Sequence, residues 1–123
     1  MRKQEKLIVV TKTKLCDANY QAIYEEALES AKKAEQEFMD KHGEPFYCGF
    51  AWVEIGNGRH PFVNFMKKHH ADKISKHWHK GAVIWNPAGN STQSMDIKEQ
   101  GAIAFERVLD KHGIPAMACS RAD

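Results

Sequence analysis

Apolar residues recur along the chain at spacings that predict alternating helices and strands. After a short apolar run at Lys6–Val10, which suits an edge strand, Asp17 opens a stretch with apolar residues at every third or fourth position. This helical period ends at Gly43 and predicts a long helix over residues 17–42. The apolar positions form one stripe, so we expect this helix to serve as a packing element.

The segment Phe46–Ile55 is apolar at odd and even positions alike. Such a pattern is typical of a central strand covered on both sides, because both rows of side chains then avoid water. We therefore expect Phe50 and Trp52 to lie in the core. A turn follows, and Pro61 then suits the first position of a short helix.

A strand, a helix and a further strand are predicted for the C-terminal part of the chain. Ala82–Trp85 is the strand, and the helix begins at Asp96 with Glu99 as its capping-box partner. Gly113 ends the helix, and Ile114–Cys119 forms the last strand. A strand followed by a helix and another strand is the signature of a parallel crossover.

Together these elements predict an α/β fold, with a small, three- to four-stranded, mainly parallel sheet packed with about three helices. We expect a single domain over residues 1–123, in which the helix of residues 17–42 precedes an α/β core of residues 46–123. The hydrophobic content of 42% is enough for one domain with a real core. Because a short sheet leaves its edges open, we also expect a homo-oligomer.

The sequence contains no segment typical of export or membrane insertion. The apolar run Leu7–Val10 is shorter than the roughly 7 to 15 residues of a signal-peptide core. No apolar run approaches the roughly 20 residues of a membrane span. The three cysteines are widely spaced, which fits reduced thiols better than a disulfide framework. We therefore expect a cytoplasmic protein without a membrane partner.

A net charge of +2 hides an uneven distribution of charged side chains. Residues 17–44 are acidic, whereas residues 45–95 are rich in lysine and histidine. A phosphate-bearing partner would favour this basic middle segment, although a solvated lysine face without a partner explains the same pattern. The candidate nucleic-acid contacts are Lys67, Lys68, Lys73, Lys76 and Lys80.

A small polar loop separates the strand ending at Trp85 from the helix beginning at Asp96. Its amide and hydroxyl groups lie beside a helix N-terminus, where free N–H groups favour an anion. In a parallel sheet this loop would meet two arginines at the other strand ends, and an antiparallel first strand would remove Arg59 from the group. The same loop residues also suit turn formation and helix capping alone. The candidate ligand-binding residues are Arg59, Trp85, Asn86, Asn90, Ser91, Thr92, Gln93, Ser94 and Arg121.

The histidines and cysteines do not form a recognised metal-binding or catalytic pattern. His77 and His79 would share one face of an extended segment, but a zinc site needs a second ligand pair at a recognised spacing. The sequence also contains no Walker lysine loop, GxGxxG fingerprint or nucleophile elbow. We expect no metal, no cofactor and no catalytic residue, and an enzyme is the third interpretation after two binding functions.

Several short segments occur in a characteristic order: Gly49–Val53 (GFAWV), Pro61–Lys68 (PFVNFMKK), Trp85–Ser94, Lys98–Ala116 and Ser120–Asp123 (SRAD). In this order they resemble a family of small proteins from tailed bacteriophages and prophages. The resemblance covers the chain from about Pro45 onward. It implies a viral origin and expression in a bacterial cytoplasm, and it assigns no activity.

Two functional hypotheses follow from these observations. In the first, a phage-encoded, non-enzymatic protein of the anti-defence type sequesters a small anionic or nucleotide ligand of the bacterial host. In the second, a phage accessory protein binds nucleic acid or a host protein through the basic middle segment, with stacking from Phe65 or Trp78. A salt titration distinguishes the two hypotheses, because binding along a phosphate backbone weakens steeply with salt, whereas the binding of one small anion changes less.

Overall fold

Three α-helices and a four-stranded sheet make up the part of the chain that the computed structural model describes, residues 16–44, 47–76 and 81–122. The helices are α1 (Asp17–His42), α2 (Pro61–His69) and α3 (Met95–Lys111). The strands are β1 (Gly49–Ile55), β2 (Ser75–Lys76), β3 (Ala82–Trp85) and β4 (Met117–Ala122). A 3-10 turn at Ala71–Lys73 joins α2 to β2. The predicted strand at Lys6–Val10 lies outside the described residues.

The sheet is antiparallel, so the prediction of a mainly parallel sheet is wrong. Its order is β2-β3-β1-β4, and every neighbouring pair in the described sheet runs antiparallel. The predicted crossover from β3 through α3 to β4 does return the chain to the same direction. However, β1 lies between these two strands and pairs with both of them. Local spacing predicts a helix that connects two parallel strands, but it does not show which strand lies between them in the sheet.

Two interleaved crossovers form the α/β core. β1 leads through α2 to β2 with β3 between them, and β3 leads through α3 to β4 with β1 between them. This βαββαβ connectivity is the ferredoxin-like, split βαβ arrangement. The register pairs Gly49 with Ala122 and Trp52 with Trp85. The carboxyl ends of β3 and β4 therefore point towards the start of β1, and the carboxyl end of β1 points the other way.

One apolar core joins the helices to one face of this sheet. The alternate residues Ala51, Val53 and Ile55 of β1 are buried against the cluster that contains Phe62 of α2 and Phe105 of α3. Helix α1, whose bounds match the predicted ones, adds its apolar stripe to the same cluster through Tyr20, Ile23, Tyr24, Ala27 and Ala31. Because the buried row of β1 faces the helices, the intervening row must face the opposite side of the sheet.

The start of α3 differs from the predicted one. Ser94 is the N-cap, and its hydroxyl oxygen accepts a hydrogen bond from the backbone N–H of Ile97 at 3.4 Å. Glu99 is not a capping-box partner, because its carboxylate accepts a hydrogen bond from the Ser120 hydroxyl on β4 at 2.5 Å. Serine and aspartate cap helices about equally well, so the choice between Ser94 and Asp96 depended on the course of the preceding loop.

Candidate functional site

Aromatic side chains of the two central strands share the face of the sheet opposite the helices. Trp52 of β1 lies directly opposite Trp85 of β3, and their ring centroids are 4.8 Å apart. Phe50 follows on the same face, since alternate residues of a strand point the same way. Phe50 is 39% exposed and Trp85 is 50% exposed. We call this surface, formed by Phe50, Trp52 and Trp85, the open aromatic face.

The core prediction for Phe50 is therefore wrong, and Trp52 lies outside the buried cluster. A strand that is apolar on both sides usually has a layer of structure on each side. In the described part of this chain, all three helices contribute to the core on one face of the sheet. Phe50 and Trp85 in the second apolar row are left exposed, whereas Val83 on the same face is buried. Exposed aromatic side chains grouped on one face are candidates for an interaction site.

Charged groups border the open aromatic face. The guanidinium carbon of Arg121 lies 5.9 Å from the Phe50 ring centroid, and the ammonium nitrogen of Lys98 lies 5.6 Å from the same centroid. The indole N–H of Trp52 donates a hydrogen bond to a carboxylate oxygen of Glu54 at 2.9 Å. Lys98 is buried and its ammonium group donates a hydrogen bond to the Gly49 carbonyl at 3.0 Å, so the exposed cation beside Phe50 is Arg121. The face therefore combines a positioned indole ring with an exposed guanidinium at one end, an arrangement that suits an aromatic ligand carrying negative charge.

The predicted polar loop uses most of its hydrogen-bonding groups to build itself. The side-chain amide of Asn86 donates to the backbone carbonyl of Asn90 at 2.7 Å. The side-chain oxygen of Asn90 accepts from the Thr92 N–H at 3.0 Å, and the Thr92 hydroxyl oxygen accepts from the Ser94 N–H at 3.1 Å. With Ser94 capping α3, these contacts give the loop a role in turn formation and capping.

The other residues of the predicted ligand group are divided between the two ends of the sheet. Trp85 and Arg121 lie on strands that flank β1 and share its open aromatic face. Arg59 follows the carboxyl end of β1 and lies at the opposite end of the sheet, because β1 is antiparallel to both neighbours. Ser91 and Gln93 are exposed in the loop. The structure therefore brings Trp85 and Arg121 together and separates Arg59 from them.

The lysines predicted to contact nucleic acid lie on other surfaces. Lys67 and Lys68 are on α2, Lys73 is in the 3-10 turn and Lys76 is on β2. The ammonium nitrogens of Lys68 and Lys73 lie 3.5 and 3.8 Å from aspartate oxygens. Lys76 pairs in register with a buried alanine and shares its side of the sheet, away from the open aromatic face. Lys80 lies outside the described residues.

A buried carboxyl group, which the sequence pattern did not indicate, lies between α1 and α3. Glu35 is 2% exposed, and neither of its oxygens has a hydrogen-bond partner among the described residues. Burial raises the pKa of Glu35 to about 6, and the nearby Asn90 amide and Lys98 ammonium offset only part of this effect. The carboxyl group occupies the space above Gly101, where a Cβ atom would overlap it. Because Glu35 is one of many acidic residues in α1, the sequence did not indicate that it is buried.

Neither a metal-ligand group nor a membrane-spanning helix is found in the described ranges. No three histidine, cysteine, aspartate or glutamate side chains there converge as a group that could hold a metal ion. None of the described helices is long and apolar enough to cross a membrane. His77 and His79 lie outside the described residues. Among known proteins, no family model, no curated protein and no solved structure matches this chain.

Proposed function

We propose that this chain is a non-enzymatic nucleotide-binding protein that stacks the bases of single-stranded nucleic acid on its open aromatic face. The observation that carries the proposal is that Phe50, Trp52 and Trp85 share the exposed face of two central strands. Aromatic side chains on the central strands of a four-stranded sheet stack unpaired bases in the RRM type of RNA-binding module. Such stacking tolerates any base, because every base has a π-face.

The shape and charge of the open aromatic face support a polymer as the ligand. Small molecules are usually held in concave sites, whereas successive bases stack on an exposed platform. Arg121 lies beside Phe50 at one end of the platform, where its guanidinium suits contact with a phosphate group. The indole of Trp52 is held by Glu54, so part of the platform is ordered before a ligand arrives.

The biological setting is also a proposal. The ordered segments that resemble small phage proteins support a phage-encoded accessory protein, acting by binding in the cytoplasm of an infected bacterium. Protection or sequestration of a single strand needs no catalytic group, which suits a non-enzymatic role. Sequestration of a small host nucleotide is the other candidate, and a cavity of about 530 Å³ beside the end of β3 favours it.

Loss of an aromatic ring from the platform is expected to weaken nucleic-acid binding. Because stacking contributes roughly 1–3 kcal/mol per base, Phe50→Ala and Trp85→Ala should each raise the dissociation constant about tenfold or more. Fluorescence anisotropy of a labelled 12-nucleotide oligo(dT) or oligo(U) measures this constant. Tyr47→Ala is the matched control, since Tyr47 is 58% exposed but precedes β1 and lies outside the platform. An equal loss from all three variants would contradict the proposal.

Arginine variants and salt test the electrostatic part of the same proposal. We expect Arg121→Ala to weaken oligonucleotide binding and Arg59→Ala to leave it unchanged, because only Arg121 borders the platform. With few phosphate contacts the salt dependence should be shallow, since each contact contributes a slope of about 0.7 in log–log form. A steep slope together with loss on Lys67→Glu would favour the lysine-rich segment instead.

Light scattering distinguishes a nucleic-acid platform from a self-association surface. If the wild-type protein is a dimer that Phe50→Ala and Trp85→Ala convert to monomer, and if no oligonucleotide binds, the open aromatic face contacts a second copy of the chain. That result would overturn the proposed function. Binding of the oligonucleotide at unchanged subunit number would support it.

A further inference from the structure

A cavity of about 530 Å³ lies beside the end of β3, at the margin of the sheet. It exists because β2 is only two residues long and pairs with Val83 and Ala82. Beyond that pairing, Ile84 and Trp85 have no strand neighbour on that side among the described residues. Helix α1, the 3-10 turn and the turn of residues 86–89 surround the resulting gap.

The lining of this cavity combines an apolar wall with polar groups of both signs. The apolar side chains come from α1, β3 and the following turn: Tyr24, Leu28, Ile84, Trp85, Pro87 and Ala88. Lys32 and Lys73 contribute cations, and Asp72 lies 3.8 Å from the Lys73 ammonium. A cavity of a few hundred Å³ with an apolar wall and a few polar groups is the usual form of a small-molecule site.

The turn that closes the cavity is conformationally strained. Asn86 has a φ of 45°, in the left-handed region that asparagine tolerates better than most other residues. Its side-chain oxygen is buried and has no hydrogen-bond partner within the described ranges. Strained backbone and an unsatisfied buried polar atom both cost free energy, and strained residues cluster at active sites and ligand-binding loops.

We infer that this cavity is a second binding site, which takes a small ligand with an aromatic ring and a phosphate group, such as a nucleoside monophosphate. The apolar wall buries the ring. Lys32 and Lys73 contact the phosphate group, and the Asp72 carboxylate accepts hydrogen bonds from sugar hydroxyls. The inference does not depend on the proposed function, because Lys32 and Phe50 lie on opposite faces of the sheet. Trp85 borders both sites, so the variants that distinguish them are made at Lys32 and Phe50.

Isothermal titration calorimetry with AMP tests the second site. We expect one AMP molecule to bind each wild-type chain, and Lys32→Glu to weaken binding about tenfold or more by reversing a lining charge. Lys33→Glu is the matched control, because Lys33 is exposed on the same helix and does not line the cavity. Leu28→Trp should also reduce AMP affinity by filling the cavity, and a melting curve confirms that each variant folds.

The two sites are distinguished by measuring the binding of both ligands to each variant. Phe50→Ala should leave AMP binding unchanged, and Lys32→Glu should leave oligonucleotide binding unchanged. AMP binding that is absent from the wild-type chain, equally weakened by Lys33→Glu, or lost only with Phe50→Ala would overturn the cavity site. Loss of oligonucleotide binding in Phe50→Ala with unchanged AMP binding would support two separate sites.

Discussion

Replacing Glu35 by methionine is expected to stabilise the protein at pH 7.5 by about 2 kcal/mol. Burial raises the pKa of Glu35 from 4.5 to about 6, and each pKa unit corresponds to about 1.4 kcal/mol. Methionine has a similar length, fills the same space and carries no charge. The variant therefore removes the cost of ionising a carboxyl group that has no hydrogen-bond partner among the described residues.

The effect of Glu35 on stability has a defined pH window. A carboxyl group whose pKa is raised on folding favours the folded state at low pH, where it is protonated in both states. Its contribution is complete below about pH 4.5 and is lost as the pH rises through about 6. The difference in stability between wild type and Glu35→Met should therefore increase from pH 4.5 to pH 7.5.

Urea unfolding at a series of pH values measures this difference directly. Glu37→Met is the control, since Glu37 is exposed on the same helix and its removal should leave the pH dependence of the wild type intact. Glu35→Gln keeps the size of the side chain and loses only the ionisation, so it should flatten the same pH window. A wild-type pH profile that both Glu35 variants reproduce would show that the pKa of this carboxyl group is the same in the folded and unfolded states.

The effect of Gly101→Ala on the free energy of unfolding is expected to change sign with the residue at position 35. In the wild-type chain the new Cβ atom would overlap the Glu35 carboxyl group, so we expect a loss of about 1–3 kcal/mol. In the Glu35→Ala background that overlap disappears. Alanine is preferred to glycine in a helix interior by about 1 kcal/mol, so the same substitution should then stabilise the protein.

A double-mutant cycle on thermal or urea unfolding measures this coupling. Gly101→Ala in a Glu37→Ala background is the matched control and should remain destabilising, because Glu37 is exposed and the atoms nearest to a Cβ at Gly101 all belong to Glu35. Equal effects of Gly101→Ala in the Glu35→Ala and Glu37→Ala backgrounds would contradict the described packing of α1 on α3. Both predictions concern the interior and are independent of any ligand.

The elements of this fold could be predicted largely from local sequence. Interactions between neighbouring residues set the conformation of several segments. Examples are the helical period from Asp17, the proline at the start of α2 and the short apolar run Ala82–Trp85. Strand order could not be predicted in this way. It depends on pairing between distant segments, and the insertion of β1 between β3 and β4 leaves no trace in the spacing of either.

Part of the candidate site could also be predicted from the sequence. Trp85 and Arg121 were identified because one ends a predicted strand and the other follows one. The structure places them at the same end of the sheet and on the same face, on the two strands that flank β1. Phe50 and Trp52 were assigned to the core, because an apolar row looks the same whether a second layer of protein or a ligand covers it. The cavity beside β3 depends on where β2 begins, which no motif marked.

Local sequence was enough to predict the three described helices and β1, β3 and β4 approximately, since periodicity, capping residues and turn residues act over a few positions. It predicted neither β2 nor the bounds of the last strand, which was expected at Ile114–Cys119 and lies at Met117–Ala122. Tertiary structure alone decided the direction of pairing, the exposure of the open aromatic face and the burial of Glu35. An acidic side chain on an amphipathic helix is normally solvated, and only the close approach of α1 to Gly101 removes this one from water. These properties arise from contacts between residues far apart in the chain, and that distance is why local patterns do not encode them.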